Sequence, residues 1–138
     1  DRVGIRASIR SVDAAQYEQR RQTFDFDMIR FTWSASLSPG NEQIFRWSQA
    51  AADQQGSFNF PGARVPAIDA MIQAMLSAPT PDDFVAAVRA LDRILVSGYY
   101  VVPLFYLPEQ WIARWATIEH PDRPALTGAQ MPTWWAKP

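Results

Sequence analysis

The sequence contains no cysteine and a single histidine, His120, which stands directly before Pro121. The lack of cysteine excludes a disulfide framework, a thiol nucleophile and a thiolate metal site. One histidine in a proline-flanked loop is a poor general base, and the glutamates are scattered without pairing. No G-x-S-x-G elbow, phosphate-binding loop or dinucleotide fingerprint occurs. We therefore predict no catalytic residue, no metal site and no cofactor, and hence a protein that is not an enzyme.

Long apolar runs and an excess of one charge are also missing. No run reaches the roughly 18 apolar residues of a transmembrane helix. The 13 basic and 14 acidic residues give a net charge of −1, so the basic excess typical of nucleic-acid binding is absent. The chain begins at Asp1 with no initiator methionine and no signal-type leader. We therefore expect a processed or excised piece of a longer protein.

Aromatic residues and prolines are abundant instead. The 138 residues include 6 tryptophans and 11 prolines, with 48% apolar and 20% charged residues. This length and composition are typical of one folded domain with its own core. Surplus aromatic side chains often line binding sites, although for any single tryptophan the core is the more common location.

Apolar alternation predicts two strands on either side of a first helix. Residues 3–9 alternate apolar and polar side chains, and residues 28–33 carry isoleucine, phenylalanine and tryptophan on one face. Between them, Asp13 suits the N-cap of a helix that buries Tyr17 and Phe24. A strand, a helix and a strand of these lengths predict a parallel βαβ unit.

The rest of the chain is predicted to contain an irregular segment, three helices and a pair of strands. In chain order we expect an irregular segment over residues 34–66 with a short helix at 42–47, helices over 67–77 and 81–97, and a strand over 100–107 paired with 109–115. Thr80 and Asp83 have capping-box spacing, and Gly98 is a typical helix stop. Pro103 places the predicted strand at an edge or a bulge, because proline cannot donate to a ladder.

The segment RFTWSASLSPGNE, residues 30–42, is the candidate ligand site. Arg30 and Trp33 lie at the carboxyl end of a predicted strand, where open α/β folds place ligand crevices. A guanidinium binds carboxylates with two hydrogen bonds, and an indole forms a flat apolar wall. Ser34 and Ser36 offer neutral hydrogen-bonding groups. On pattern alone two interpretations are equal: ligand contact, or an Arg30 paired with an acid beside a Trp33 in the core.

Several motifs occur in one order along the chain: D-x-A-Q-Y-x-x-R, F-D-F-D-M, W-S-A-S-L-S-P-G-N-E, V-P-A-I-D-A-M-I and R-A-L-D-R-I-L-V-S-G-Y-Y-V-V-P-L-F. In this order they resemble extracellular solute-binding proteins of family 5, the oligopeptide and dipeptide receptors of ABC importers, and above all their YejA-like branch. The resemblance covers nearly the whole chain and includes its T-W-W ending. It implies an α/β fragment of the C-terminal lobe of a two-lobed periplasmic binding protein of type II, with a mixed sheet flanked by helices. Residues 1–118 then belong to that lobe, and residues 119–138 return toward the N-terminal lobe.

The resemblance also implies a function and a role for the candidate residues. The whole protein captures a peptide-like solute in the periplasm by closing two lobes around it, and delivers it to the permease of an ABC importer. Trp33 matches the tryptophan of the family's W-x-A-D element, and Arg30 matches an arginine three residues before it. In oligopeptide receptors the acid of that element binds the ligand's free amine, but here Ser36 stands in its place and carries no charge. Either another acid such as Glu42 binds the amine, or the ligand is a modified peptide whose amine is blocked.

Two other classes of protein stay open as alternatives. One is a structural or protein-interaction α/β domain without a small-molecule ligand, and the other is a hydrolase whose catalytic groups lie upstream of this sequence. If the chain is a lobe fragment, it should expose apolar surface, bind ligand weakly and tend to self-associate.

Overall fold

The computed structural model describes residues 3–34 and 36–138, which divide into two units. The first unit comprises the residues up to Trp33 together with Gly40–Tyr100, and the second comprises Ser34–Pro39 with Val101–Pro138. Helices build the first unit, and two short strands lie in the second. Within the described ranges, no helix is both long enough and apolar enough to cross a bilayer.

The helices of the first unit are α1 (Ala14–Thr23), α2 (Glu42–Trp47), α3 (Gln49–Ala52), α4 (Pro66–Leu76) and α5 (Pro81–Ser97). Four of them begin and end close to where the sequence predicts them, whereas α3 lies in the segment predicted to be irregular. Asp13 Oδ1 accepts from the Gln16 N–H at 2.8 Å. Thr80 Oγ1 accepts from the Asp83 N–H at 3.2 Å and donates to the Asp83 carboxylate at 2.6 Å. These caps satisfy backbone donors that a helix start leaves without partners, so the predicted N-caps are confirmed.

The core of the first unit lies where α4 packs on α5. Ile68, Ile72 and Met75 follow the helical period along α4 and are at most 2% exposed. Leu91 of α5 and Trp47 of α2 join the same buried cluster. Burial of each large apolar side chain contributes about 1.5–3 kcal/mol. The apolar stripe predicted for α4 over Ile68, Met71, Ile72, Met75 and Leu76 is therefore confirmed except at Leu76, which is exposed.

A buried asparagine holds the irregular segment between α3 and α4. The Asn59 side chain is 1% exposed. Its Nδ2 donates to the carbonyl oxygens of Ser48 at 2.9 Å and Ala63 at 3.0 Å, and its Oδ1 accepts from the Ala63 N–H at 2.9 Å. Ser57 Oγ donates to the Ala51 carbonyl at 2.6 Å. This part of the predicted irregular segment is thus ordered by side-chain hydrogen bonds that replace a backbone ladder.

The two strands predicted in the first unit are wrong. Residues 3–9 and 28–33 are described, and neither segment forms a strand. Val3, Ile5 and Ile9 are 79%, 68% and 98% exposed. A strand is stable only when a neighbouring strand accepts its backbone hydrogen bonds, and these segments find no such neighbour. The parallel βαβ unit predicted from them is therefore not formed.

The second unit contains a short antiparallel ladder. β1 (Ile118–Glu119) pairs with β2 (Trp135–Ala136), and a 3-10 turn at Met131–Thr133 precedes β2. Lys137 Nζ lies 2.9 Å from Glu119 Oε1 and forms an ion pair beside the ladder. The α/β class is confirmed in this coarse form, but the described sheet has two antiparallel strands and is not a mixed sheet.

The strand predicted over residues 100–107 and its partner over 109–115 are also wrong, since neither segment forms a strand. Leu104, Phe105 and Tyr106 are 71%, 72% and 82% exposed. Pro103 removes one ladder donor, and the residues around it have no partner strand. The predicted division of the chain at residue 118 concerns the lobes of a longer protein and stays a prediction.

Candidate functional site

An aromatic cluster surrounds Trp33 in the first unit. Its members are Phe26, Phe31, Trp33, Phe45, Trp47, Phe58, Phe60 and Tyr100. The Trp33 and Trp47 rings are parallel within 1°, with centroids 5.7 Å apart. Phe31 approaches Trp33 edge to face at 5.6 Å. Offset stacking and edge-to-face contacts are the favourable geometries for aromatic rings, so the Trp33 indole is held in one orientation.

Two arginines lie against this aromatic cluster. The Arg46 guanidinium carbon is 5.2 Å from the Trp33 ring centroid, and that of Arg21 is 5.4 Å from the Phe58 ring. Such a contact contributes about 0.5–1 kcal/mol at an exposed site and about 2 kcal/mol where the pair is shielded from water. Arg21 also forms an ion pair with Glu18. The hydrogen bond from Arg21, followed by one from Gln22, lowers the pKa of Glu18 to about 2.

In the structure, Trp33 agrees in part with each of the two interpretations of the sequence. The side chain is half-buried and packs against the buried core cluster, so part of the indole stabilises the fold and part stays accessible. Arg30 is exposed, and its backbone carbonyl accepts from the Tyr17 hydroxyl at 2.7 Å. Among residues 3–34 and 36–138, no carboxylate pairs with the Arg30 guanidinium. The alternative in which Arg30 is neutralised by an acid therefore finds no support within these ranges.

Ser34 and Ser36 belong to the second unit, whereas Arg30 and Trp33 belong to the first. Both serines are exposed, and Ser36 Oγ donates to the Ser38 carbonyl at 2.5 Å. The structure thus groups Arg30 with Trp33, and Ser34 with Ser36. A joint role for the four residues in ligand binding stays a prediction.

Glu42, the alternative partner for a ligand amine, is engaged at the start of α2. Its Oε1 accepts from the Gly40 N–H at 3.0 Å and from Gln43 Nε2 at 3.1 Å. Burial alone would raise the pKa of Glu42, but hydrogen bonds from the backbone N–H groups of Glu42 and Gly40 outweigh burial and lower it. The carboxylate is therefore ionised, and its Oε1 is already hydrogen-bonded within its own segment.

An open pocket of about 750 Å³, which we call the acidic pocket, lies in the first unit. Its lining includes Phe24, Phe26, Phe60, Tyr100, Asp27, Asp53 and Arg64. Asp53 pairs with Arg64 at 2.5 Å, whereas Asp27 forms no ion pair within the described ranges. An unpaired carboxylate among aromatic rings is a favourable environment for an ammonium group.

Sequence reasoning missed the acidic pocket. In the described part of the chain no three His, Cys, Asp or Glu side chains cluster closely enough to hold a metal ion. The available signal was the alternation in F-D-F-D, which places acids between aromatic residues. That pattern does not show which other segments join them, because Asp53 and Tyr100 are far away in the sequence.

Comparison with known proteins finds long similarity to proteins named for binding. No family model matches the chain. A Brucella suis protein that is named only as a binding protein is 60% identical over 97% of this chain and 22% of its own length. The Agrobacterium fabrum peptidoglycan-binding protein YepA is 50% identical over 96% of this chain and 22% of its own length. A second Agrobacterium fabrum protein, which carries the name of a peptide-binding protein, YejA, is 46% identical over 98% of this chain and 22% of its own length.

The chain spans about a fifth of the length of these relatives. None of the three names describes an enzyme. Along nearly its whole length, the chain is therefore similar to one segment of YejA-like proteins that are named for binding peptides or peptidoglycan.

Proposed function

We propose that the chain is part of a solute-binding protein of family 5 that captures peptide-like molecules in the periplasm and delivers them to an ABC importer. The similarity to proteins named for peptide and peptidoglycan binding, which extends over at least 96% of the chain, is the observation that carries this proposal. Peptides and the peptide parts of peptidoglycan share amide groups and carboxylates. A site for this class of ligand combines apolar walls with groups that bind amides and charges.

In the proposed function, Trp33 is the wall against which the ligand packs. Its orientation is fixed by Trp47 and Phe31, so little side-chain entropy is lost when a ligand contacts it. Arg30 supplies an exposed guanidinium for a ligand oxygen, and the hydroxyls of Ser34 and Ser36 supply neutral hydrogen bonds. We expect substitution of Trp33 by alanine to weaken binding more than substitution of either serine, because an aromatic anchor contributes the larger contact area.

The acidic pocket supports a revised position for the ligand amine. Ser36 carries no charge and Glu42 Oε1 is already hydrogen-bonded, whereas Asp27 lines the acidic pocket with aromatic rings and forms no ion pair within the described ranges. We therefore propose that Asp27 binds the ammonium of ligands that have one. The test compares a free-amine tripeptide with its N-acetylated form by calorimetry on the full-length protein and on Asp27→Asn. Tighter binding of the free amine that disappears in Asp27→Asn supports the proposal; equal or tighter binding of the acetylated form refutes it and favours a blocked ligand.

Native mass spectrometry of the full-length protein, purified from the periplasm, tests the proposed function as a whole. We expect a co-purified mass that fits a peptide or a peptidoglycan fragment, and the same mass should be absent from Trp33→Ala. A protein that purifies without ligand and shows no mass shift with a tripeptide mixture would refute the proposal.

An interaction domain without a small-molecule ligand is the second candidate, and the exposed apolar run in the second unit favours it. Val102, Leu104, Phe105 and Leu107 are between 66% and 80% exposed. An apolar stretch of this kind is a typical contact surface for another protein chain or for more of the same chain. Light scattering distinguishes the two candidates: a full-length protein that is monomeric and binds peptides rejects the interaction domain.

A further inference from the structure

A second pocket lies within the second unit, and its lining residues are distant in the sequence from the ligand-binding residues proposed above. Its volume is about 210 Å³, and its lining includes Arg114, His120, Asp122, Arg123, Gln130 and Trp134. We call it the basic pocket. It is smaller than the roughly 300–1,000 Å³ of a site that encloses a whole ligand. The basic pocket is therefore the size of a site for one end group of a larger molecule.

The charges that line the basic pocket favour an anion. The lining contains two guanidiniums, of Arg114 and Arg123, and one carboxylate, of Asp122. Arg123 forms no ion pair with any acid in residues 3–34 and 36–138. Arg114 donates through Nη1 to the Ile118 carbonyl, which anchors the side chain and leaves its other N–H groups available. A guanidinium has five such donors in a planar fork that matches the two oxygens of a carboxylate.

The imidazole and the indole add two further contacts to this anion site. His120 Nδ1 lies 2.8 Å from the Pro121 carbonyl oxygen, and because a carbonyl can only accept, Nδ1 carries the hydrogen. In the neutral ring Nε2 is then an acceptor, which suits an N–H group of a ligand. The Trp134 ring lies 5.5 Å from the His120 ring and provides an apolar surface. The basic pocket thus combines donors for an anion, one acceptor for an N–H group and an aromatic wall.

We propose that the basic pocket binds the C-terminal end of a peptide-like ligand. That end carries a carboxylate, the N–H of the last amide bond and a side chain within a few ångströms of one another. The carboxylate matches the arginines, the N–H group matches the His120 acceptor, and the side chain matches the Trp134 ring. The inference rests on the proposed function, because it takes a peptide-like molecule as the ligand. Inorganic phosphate is the other source of an anion with matching oxygens, and the experiment separates the two.

The experiment uses a pool of synthetic tripeptides prepared both as free acids and as C-terminal amides, with binding to the full-length protein measured by native mass spectrometry. We expect the acids to bind about 10- to 100-fold more tightly than the amides, the usual effect of charge-assisted hydrogen bonds. Arg123→Gln should reduce this preference to about twofold or less, and Arg123→Lys should restore part of it, because lysine keeps the charge without the fork. Asp122→Asn should increase the preference, because it removes the opposing charge.

Two matched variants control for changes in overall charge and for a competing arginine. Arg89→Gln removes the same charge from an exposed position on α5 and should leave the acid preference unchanged. Arg30→Gln tests whether the carboxylate binds beside Trp33 instead. Loss of the acid preference in Arg89→Gln or Arg30→Gln, with retention in Arg123→Gln, would overturn the inference.

The remaining outcomes separate this inference from the proposed function. Acids and amides that bind equally well overturn the role of the basic pocket while the peptide-binding function stands. No binding of any tripeptide refutes both. Displacement by inorganic phosphate that depends on Arg123, without any preference for peptide acids, identifies the pocket as a phosphate site and overturns the carboxylate assignment.

Discussion

Helices α4 and α5 of the first unit and the following segment, residues 101–107, are both rich in apolar residues but differ in how far these residues are buried. In α4 and α5 the apolar side chains recur at the helical period, and Ile72 and Leu91 are 1% and 4% exposed. Over residues 101–107 the side chains are as apolar, but Phe105 and Leu107 are 72% and 80% exposed. A helix satisfies its backbone hydrogen bonds within its own segment, whereas a strand needs a second strand to do so. Apolar content alone therefore does not decide which residues become buried.

The largest expected effect on stability comes from shortening a buried apolar side chain of α4. Ile72→Ala should lower the free energy of unfolding by about 2–5 kcal/mol, because it removes a buried side chain and leaves a cavity. Phe105→Ala removes a larger side chain from an exposed position and should change it by no more than about 0.5 kcal/mol. Urea denaturation followed by circular dichroism measures both. A Phe105→Ala variant as destabilised as Ile72→Ala would show that the exposed segment is packed in solution.

The next effect concerns the buried polar contact of the first unit. Asn59→Ala removes the hydrogen bonds to Ser48 and Ala63 and leaves buried backbone groups without partners. We expect a loss of about 1–3 kcal/mol in the free energy of unfolding. Asn41→Ala is the matched control, since the Asn41 side chain is exposed and makes no capping hydrogen bond. Equal stability of the two variants by urea denaturation would contradict the role of Asn59.

A smaller effect is expected at the start of α5. Thr80→Ala removes the hydroxyl that accepts from the Asp83 N–H and should cost about 1 kcal/mol of stability. Thr80→Ser keeps the hydroxyl and should retain most of the stability. Thermal unfolding followed by circular dichroism distinguishes them, and a Thr80→Ser variant that melts together with Thr80→Ala would attribute the loss to the methyl group instead of the cap.

The smallest effect is a dependence of stability on pH at α1. The pKa of Glu18 is lowered from its ordinary value of 4.5 to about 2, chiefly by the hydrogen bond from Arg21. Because the folded pKa lies below the unfolded one, this pair stabilises the fold above about pH 4.5 and loses its contribution as the pH falls toward 2. Glu18→Gln should therefore flatten the pH dependence of the unfolding midpoint in this range. Identical profiles for the wild type and Glu18→Gln at low salt would contradict this assignment.

The comparison also explains how much of the structure could be predicted. The bounds of α2 and α5, the caps at Asp13 and Thr80 and the stripe of α4 follow from residues within one or two turns of each other. The predicted strands are wrong because the patterns of residues 3–9, 28–33 and 100–107 specify an apolar face but not a partner strand. The ladder of β1 with β2 was missed because each strand is only two residues long.

The candidate site divides in the same way. Trp33 and Arg30 stand out in the sequence because of their side-chain chemistry, and the structure adds the stacked Trp47 and the exposed guanidinium. The acidic pocket could not be predicted, because its walls come from segments separated by many residues. The lining residues of the basic pocket lie closer together in the sequence, but its net charge depends on which arginines form ion pairs, and only the tertiary structure shows these pairs.

The sequence by itself determined four of the five helices, the caps at Asp13 and Thr80, the absence of thiol chemistry and the balanced charge, because each depends on composition or on contacts between near neighbours in the chain. The tertiary structure decided that Asn59 holds the irregular segment, that Trp33 is half-buried and that Asp27 and Arg123 line pockets without ion pairs within the described ranges. These features arise from distant residues brought within a few ångströms of one another. Hydrogen bonds, stacking and ion pairs act only over such distances, so separation along the chain does not reveal them.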